Sequence, residues 1–286
     1  MVDAVVYVYV ILFAMSFFIL ISLGLAIIFG MMGVINLAQG EFIMLGAYAC
    51  LWLSKFHINF WIAALMSGLL VGLFGIFVER TLIRFLYGRI MDTLLATWGL
   101  SLLMIGLVTT IFGPQEAGVD VQLGKIELGE FSISIYNLAL IATSAGMLIG
   151  TYLLWRHTRF GLIVRGTMQN PGMASALGIN TDKYYMLTFG FGSAITGLAG
   201  ALISPLVGTQ PTMGGFYVAK AFVTVISGGA APLSGTLYAS TIFGVTDGVI
   251  SYATTQVVGE ISVLLVAIVL LRLLPSGITG RFGRGI

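Results

Sequence analysis

About nine apolar stretches, separated by short polar segments, dominate the chain. Several of them exceed the roughly 18 residues that indicate a membrane-spanning helix, and none alternates apolar and polar positions as a transmembrane β-strand does. The pattern predicts an all-α integral membrane protein, a polytopic helix bundle with a single transmembrane domain over residues 1–286. The stretches run approximately over residues 5–30, 42–54, 60–78, 94–113, 134–155, 184–207, 216–228, 233–254 and 258–274.

Two of these stretches, 42–54 and 216–228, are short and have glycines near their ends. Short, interrupted apolar segments are typical of broken or re-entrant helices. If both short stretches cross the membrane there are nine crossings, and if one is re-entrant there are eight. We therefore expect about eight or nine transmembrane segments, including broken or re-entrant helices.

The composition agrees with this fold class and limits the chemistry. Of the 286 residues, 58% are hydrophobic and only 8% are charged, against about 25% charged in soluble domains. The single cysteine, Cys50, excludes an internal disulfide, and the two histidines, His57 and His157, lie far apart in the sequence. Because no histidine lies within an apolar stretch, we expect neither a catalytic residue nor a metal site.

The charged residues predict the topology. By the positive-inside rule, clusters of Lys and Arg mark cytoplasmic segments, so 156–183 is predicted to be a cytoplasmic loop. The acidic segment 114–133 is predicted to be an external loop. The N-terminus, with Asp3 and no basic residue, is predicted to lie outside and the C-terminus in the cytoplasm. The basic clusters are Arg80, Arg84 and Arg89; Arg156, Arg159, Arg165 and Lys183; and Arg272, Arg281 and Arg284, while the acids of 114–133 are Glu116, Asp120, Glu127 and Glu130.

A short helix is predicted near 170–178, within the loop 156–183. Asn170 is a good N-cap, Pro171 suits the first helical position, and Gly178 can end the helix in a left-handed conformation. A helix of about two turns is too short to be stable alone, so it needs a surface to lie on. It either couples the chain to a cytoplasmic motor subunit or packs beneath its own bundle. Its small and apolar side chains include Met173, Ala174 and Leu177.

Three polar residues interrupt the apolar pattern in the stretch "GVINLAQGEF", which begins at Gly33: Asn36, Gln39 and Glu41. A charge at the centre of the bilayer costs at least about 2.5 to 3.5 kcal/mol. In one interpretation Asn36 caps a broken helix, whose positive N-terminal end favours Glu41. In the other, the three side chains border a translocation path.

Four further residues are candidates for such a path. Lys220 and Asp247 both lie within apolar stretches, and we expect them to form a structural pair, directly or through water. Glu41 is a rival partner for Lys220, and gating is the other role. Thr97 and Trp98 lie near the start of another stretch, where Trp98 either anchors the chain at the membrane interface or lines the path.

Three segments resemble the permease subunits of ABC importers for branched-chain amino acids, urea and short-chain amides. They are "GLAIIFGMMGVINLAQGEFIMLGAY" (24–48), "QNPGMASALGINTDKYYMLTFGFGSAITGLAGAL" (169–202) and "AKAFVTVISGGAAPLSGTL" (219–237). Within that family, "DTLLATWGLSLL" (92–103) and "RGTMQNPGMA" (165–174) are similar to the urea and amide branch. In contrast, "VAKAF" around Lys220 is similar to the amino-acid branch, and Gln39 stands where relatives often carry His.

The resemblance implies a permease domain with defined partners in a bacterial inner membrane. These are a second homologous permease subunit, two cytoplasmic ATPase subunits that bind ATP and Mg, an external solute-binding protein and the lipid bilayer. The chain itself holds no cofactor: its only Gly-Lys pair, Gly124 and Lys125, is followed by Ile126 and so does not match the phosphate-binding GxxxxGK[ST] loop. The segment 170–178 would then be the coupling element. No nucleic-acid partner is expected.

The predicted function is therefore import by alternating access, with ATP hydrolysed by the partners. The favoured substrates are urea or short-chain amides, and the alternative is branched-chain amino acids. A hypothesis of another class is an ion-coupled transporter or channel, which would work without an ATPase. An intramembrane enzyme is disfavoured because the buried charges are better explained as pairs.

Overall fold

A computed structural model describes residues 2–119, 121, 123–128 and 131–280, and most of them are helical. The all-α class is thereby confirmed, with one small antiparallel hairpin as the departure among the described residues. The helices are α1 (Val2–Met32), α2 (Gln39–Ser54), α3 (Phe60–Thr81), α4 (Ile90–Phe112), α5 (Ile135–His157), α6 (Arg159–Gln169), α7 (Pro171–Ala176), α8 (Thr181–Val207), α9 (Met213–Gly228), α10 (Pro232–Ala253), α11 (Gln256–Leu273) and α12 (Gly277–Gly280), with a 3₁₀ turn at Ile83–Leu86 and strands β1 (Lys125–Leu128) and β2 (Phe131–Ser134).

Six helical segments of the described residues are long and apolar enough to cross a membrane. A seventh crossing is counted if α9 and α10, which meet at an angle of 113°, form one broken span. The bend confirms that the short stretch 216–228 belongs to an interrupted segment. The count of eight or nine crossings and the sides of the two termini stay predictions. Asp120, Glu130, Arg281 and Arg284, on which the topology prediction partly rests, lie outside the described residues.

The chain divides into two compact units. The first, here called the α3–α8 unit, comprises the described parts of Leu23–Asp120 and Gly150–Ala219. The second, the α10–α11 unit, comprises the described parts of Met1–Ser22, Val121–Ile149 and Lys220–Ile286. Helices α1, α5 and α9 each contribute residues to both.

In the α3–α8 unit, the short helix α2 packs closely against α8 and α3. A Cβ atom at Gly46 would collide with the carbonyl oxygen of Gly197, and one at Gly200 would collide with that of Ile43. Small residues at these positions let the backbones of α2 and α8 approach, which is how helices associate where lipid supplies no hydrophobic drive. The α2 helix is therefore a buried element of this unit.

In the α10–α11 unit, a side chain from α12 holds the break between α9 and α10. The Thr279 hydroxyl donates to the carbonyl oxygen of Gly228 at 2.7 Å and accepts from the amide of Ala231 at 2.9 Å. These are backbone groups that the end of one helix and the start of the next leave without helical partners. Gly229, in the break, has a φ of +85°, which favours glycine.

The two predicted loops contain more regular structure than the sequence indicated. The predicted external loop contains β1 and most of β2, which form an antiparallel hairpin. Lys125 lies opposite Ser134, and Leu128 lies opposite Phe131. The segment 156–183 contains α6 in addition to α7, and this helix was overlooked. Thr158 caps α6 by accepting from the amide of Gly161. The buried residues of α6 are Gly161, Val164 and Thr167, which recur every three positions on one face.

Candidate functional site

The site is built around the point where the chain leaves α1 and enters α2. Residues 33–38 are not helical, and α2 begins at Gln39. The Asn36 side-chain oxygen accepts from the amide of Ala38 at 3.1 Å, which forms a turn two residues ahead. The prediction that Asn36 caps the helix is therefore wrong. Ala38 occupies the N-cap position, and no side chain there makes a capping bond.

Gln39 joins this turn to α8. Its side-chain amide donates to the Thr196 hydroxyl at 2.5 Å, and its side-chain oxygen accepts from the Asn36 amide at 3.4 Å. Thr196 in turn donates to the carbonyl oxygen of Gly192 at 2.8 Å. All three side chains are buried, so these hydrogen bonds offset the cost of removing amides and a hydroxyl from water. The structure thus brings Asn36 and Gln39 together, and their role beside a translocation path stays a prediction.

Glu41 lies in the first turn of α2 and is only 3% exposed. One carboxyl oxygen, Oε1, accepts from the Ser101 hydroxyl at 2.5 Å. The other, Oε2, has no hydrogen-bond partner among the described residues. It lies directly over Gly214, at the start of α9, where a Cβ atom would collide with it. Glu41 therefore offers one free acceptor oxygen inside the α3–α8 unit.

Helix α4 supplies hydroxyl side chains that contact Glu41 and the turn before it. Thr97 accepts from the amide of Leu37 at 3.1 Å and donates to the carbonyl oxygen of Thr93 at 2.8 Å. Trp98 is 56% exposed on another face of α4, so it does not join the buried cluster. The buried residues of α4 recur every three or four positions and begin with three hydroxyl side chains: Thr93, Thr97, Ser101, Met104 and Val108.

Lys220 and Asp247 belong to the α10–α11 unit, where they lie close enough to interact electrostatically but make no direct ion pair. Lys220 Nζ instead makes an ion pair with Glu260 Oε1 at 3.0 Å. Asp247 accepts from the Ser251 hydroxyl at 3.1 Å. The direct ion pair of Lys220 is thus with Glu260, and a pair with Asp247 through water stays a prediction. Glu260, on α11, is not among the candidates that the sequence suggests, because it is forty positions from Lys220 in the chain although it contacts Lys220 in space.

The short helix α7 has the caps that the sequence predicted. The Asn170 side-chain oxygen accepts from the amide of Met173 at 3.0 Å, and Pro171 is the first helical residue. Gly178 has a φ of +81°, and the following amide, of Ile179, donates back to the carbonyl oxygen of Ala174 at 3.0 Å. Ala174 is buried. Leu177 and Met173, in contrast, are 75% and 59% exposed, so α7 presents two large apolar side chains on its surface.

Together these features define the class of the protein. Long apolar helices, the sharply bent pair of α9 and α10, and a buried cluster of amide, hydroxyl and carboxyl groups beside a helix start are typical of a membrane transport protein. The chain belongs to the family described as "Branched-chain amino acid transport system / permease component", whose model matches residues 7–274. It is thus a transport permease and not an enzyme, and its resemblance to ABC importer permeases is confirmed.

Individual relatives agree with the family over nearly the whole chain. The high-affinity branched-chain amino acid transport permease protein LivH of Escherichia coli is 30% identical, covering 93% of this chain and 92% of the relative. A probable LivH of Methanocaldococcus jannaschii is 27% identical, covering 92% and 88%. BraD of Pseudomonas aeruginosa, another branched-chain amino acid permease by name, is 25% identical, covering 93% and 92%. No solved structure matches the chain significantly.

Proposed function

We propose that this chain is the permease subunit of an ATP-driven importer of branched-chain amino acids in the cytoplasmic membrane. The observation that carries the proposal is the family match, together with relatives named for branched-chain amino acids. These names favour branched-chain amino acids, the alternative substrate, over urea or short-chain amides. In this proposal the stretch "VAKAF" around Lys220 is a better guide to the substrate than "DTLLATWGLSLL".

The translocation path in this proposal runs past the cluster of Asn36, Gln39, Glu41 and Thr97. An amino acid carries an ammonium group, which would donate a charge-assisted hydrogen bond to the free Oε2 of Glu41. Urea and simple amides have no such cation, so a lone carboxyl oxygen suits them less. Because Gly214 covers Oε2, movement of the start of α9 away from α2 would open the site to substrate. Such a movement would be one step of an alternating-access cycle.

The same proposal assigns partners. Two ATPase subunits bind ATP and Mg on the cytoplasmic side, a second homologous permease completes the membrane part, and a solute-binding protein delivers substrate outside. The helix α7 is the coupling element, because its exposed Met173 and Leu177 offer apolar side chains to a cleft in an ATPase subunit. Its two caps pre-form the helix, which lowers the ordering cost of that contact.

Uptake into proteoliposomes tests the substrate and the energy source. The full transporter, containing this chain, its partner subunits and the binding protein, should import radiolabelled leucine only when ATP reaches the ATPase subunits. Uptake of urea or acetamide without leucine would contradict the proposed substrate. Leucine uptake that persists without ATPase subunits and follows an ion gradient would instead support a secondary transporter or a channel.

Variants of two acidic residues test the path. Glu41→Gln keeps the shape of the side chain but replaces one carboxyl oxygen by an amide donor, so leucine uptake should fall at least about tenfold, as for loss of a charge-assisted hydrogen bond. Glu127→Gln, at an exposed position on β1, is the matched control and should transport normally. Equal uptake by both variants would remove Glu41 from the path.

Charge placed on α7 tests the coupling role. Met173→Asp and Leu177→Asp should uncouple ATP hydrolysis from uptake while the protein remains inserted, because a carboxylate does not enter an apolar cleft without a large desolvation cost. The same change at Ile126, an exposed residue of β1, is the control. Normal uptake by both α7 variants would exclude α7 as the coupling element.

A further inference from the structure

An apolar groove of about 440 Å³ runs along the seam between α3 and α8 in the α3–α8 unit. Large side chains form its walls, and small residues of both helices form its floor. From Leu69 to Ile76 the groove extends along α3 for about 10 Å, at about 1.5 Å per residue. This length is about two thirds of the roughly 15 Å that half of the hydrocarbon core of a bilayer spans. The wall residues are Leu69, Leu73, Ile76, Phe160, Leu187 and Phe191.

A polar cavity of about 310 Å³ lies one helical turn beyond Ile76 and Leu187, at the end of the same seam. Three basic side chains and two carboxylates line it, so its charge is positive. This is the end of α3 that the positive-inside rule predicts to be cytoplasmic. The charged residues are Glu79, Arg80, Arg84, Asp182 and Lys183.

The two carboxylates of the cavity are already engaged. Asp182 pairs with Arg84 at 2.5 Å. Glu79 is buried and accepts from the Tyr87 hydroxyl at 2.6 Å. Burial, reinforced by that bond, raises the pKa of Tyr87, so its hydroxyl stays protonated and continues to donate. Arg80 and Lys183 are exposed, and neither makes an ion pair among the described residues.

We propose that this seam is a binding site for one anionic phospholipid. An acyl chain lies in the groove between α3 and α8, and the phosphate lies between Arg80 and Lys183. The charge complementarity carries the assignment: two exposed cations, without a direct ion pair among the described residues, stand at one end of an apolar groove, one turn past its last apolar residues. Basic pockets beside transmembrane helices bind anionic headgroups in this way. A free anion would use the cations but leave the groove without an occupant.

Native mass spectrometry of the purified full chain tests the proposal, with phosphatidylglycerol and phosphatidylcholine of identical acyl chains as probes. The chain should retain phosphatidylglycerol in preference to phosphatidylcholine. Each Lys or Arg beside an anionic headgroup favours binding about fivefold, so the double variant Arg80→Gln/Lys183→Gln should bind phosphatidylglycerol roughly 30-fold more weakly. The control is Arg89→Gln, whose arginine pairs with Asp92 and does not line the cavity.

Other occupants of the seam give different results. Unchanged retention in the double variant would overturn the proposal, as would displacement of phosphatidylglycerol by inorganic phosphate at equal concentration. A second variant, Leu73→Trp, fills the groove from an exposed position and should weaken lipid retention with both cations intact. Loss of the lipid when the ATPase and second permease subunits assemble would mean that a protein subunit covers the seam, and would also overturn the proposal.

Discussion

Removal of the Ser101 hydroxyl is the sharpest test of the buried cluster. In the variant Ser101→Ala, the only donor to the Glu41 carboxyl group among the described residues is lost, since Oε2 already has no partner. Glu41 is 3% exposed, so water does not replace the missing hydrogen bond without opening the packing. The variant therefore leaves both oxygens of a buried carboxyl group without a donor.

The expected cost follows from that geometry. Leaving a buried acceptor unsatisfied costs about 1 to 3 kcal/mol, and the loss of a single oxygen atom adds little cavity volume. We take about 2 kcal/mol, which raises the equilibrium constant for opening roughly 30-fold. The variant Ser101→Thr keeps a hydroxyl at the same position and should lose less stability.

The single cysteine supplies the assay. Cys50 is fully buried on α2, the helix that carries Glu41, so a thiol-reactive fluorophore labels it only when this part of the unit opens. Where opening and closing are fast compared with labelling, the rate is proportional to the opening constant. Ser101→Ala should therefore accelerate the labelling of Cys50 roughly 30-fold, in proportion to the larger opening constant.

Thr110→Ala is the matched control for this experiment. Thr110 lies on α4, as Ser101 does, and is exposed; within the described part of the chain its hydroxyl bonds only to the carbonyl oxygen of Gly106 in its own helix. This control should change the labelling rate by less than about twofold, as expected for a surface substitution. Equal labelling of Ser101→Ala and Thr110→Ala would refute the reasoning, because the Ser101–Glu41 bond would then contribute nothing to the stability of the unit.

Three further substitutions probe contacts outside the cluster. Lys220→Met leaves Glu260 unpaired and should lower the free energy of unfolding by about 1 kcal/mol, measured by thermal unfolding. The double variant Lys220→Met/Glu260→Gln should recover part of this stability, and the control Lys125→Met should leave it unchanged. An equal loss of stability in all three variants would contradict a specific pair. Thr279→Val removes both hydrogen bonds at the α9–α10 break and should lower stability by about 2 kcal/mol in thermal unfolding; a loss as large in Thr279→Ser would mean that the hydroxyl is not responsible. Asn170→Ala should cost α7 about 1 kcal/mol, seen as faster hydrogen exchange of its amides; unchanged exchange would show that other contacts hold the helix.

Local sequence signals predicted the features that depend on neighbouring residues. The caps of α7 follow from the order Asn170, Pro171, Gly178, because each acts on backbone groups within a few positions. The interruption near Gly229 was also visible as a short apolar stretch bounded by glycines. These features need no information about packing between helices.

Contacts between distant segments were beyond that reasoning. Ser101 is sixty positions from Glu41, and Glu260 is forty positions from Lys220, so no local pattern links either pair. A signal for Ser101 did exist, since Thr93, Thr97 and Ser101 recur every four residues and therefore lie on one face of α4. Helix α6 is not evident from the sequence because its arginines serve equally well as markers of a cytoplasmic loop.

The close packing of helix starts explains how the cluster keeps its polar groups inside an apolar bundle. A Cβ atom at Gly40 would collide with the carbonyl oxygen of Gly214, and one at Gly214 would collide with Glu41 Oε2. Side chains at either glycine would separate α2 from α9 and admit water or lipid to the carboxyl group. Because both positions are glycine, the start of α9 can lie directly over Oε2. It does not donate a hydrogen bond to that oxygen. That oxygen is therefore shielded from water and has no donor among the described residues, which is the condition that a substrate bearing its own donor would relieve.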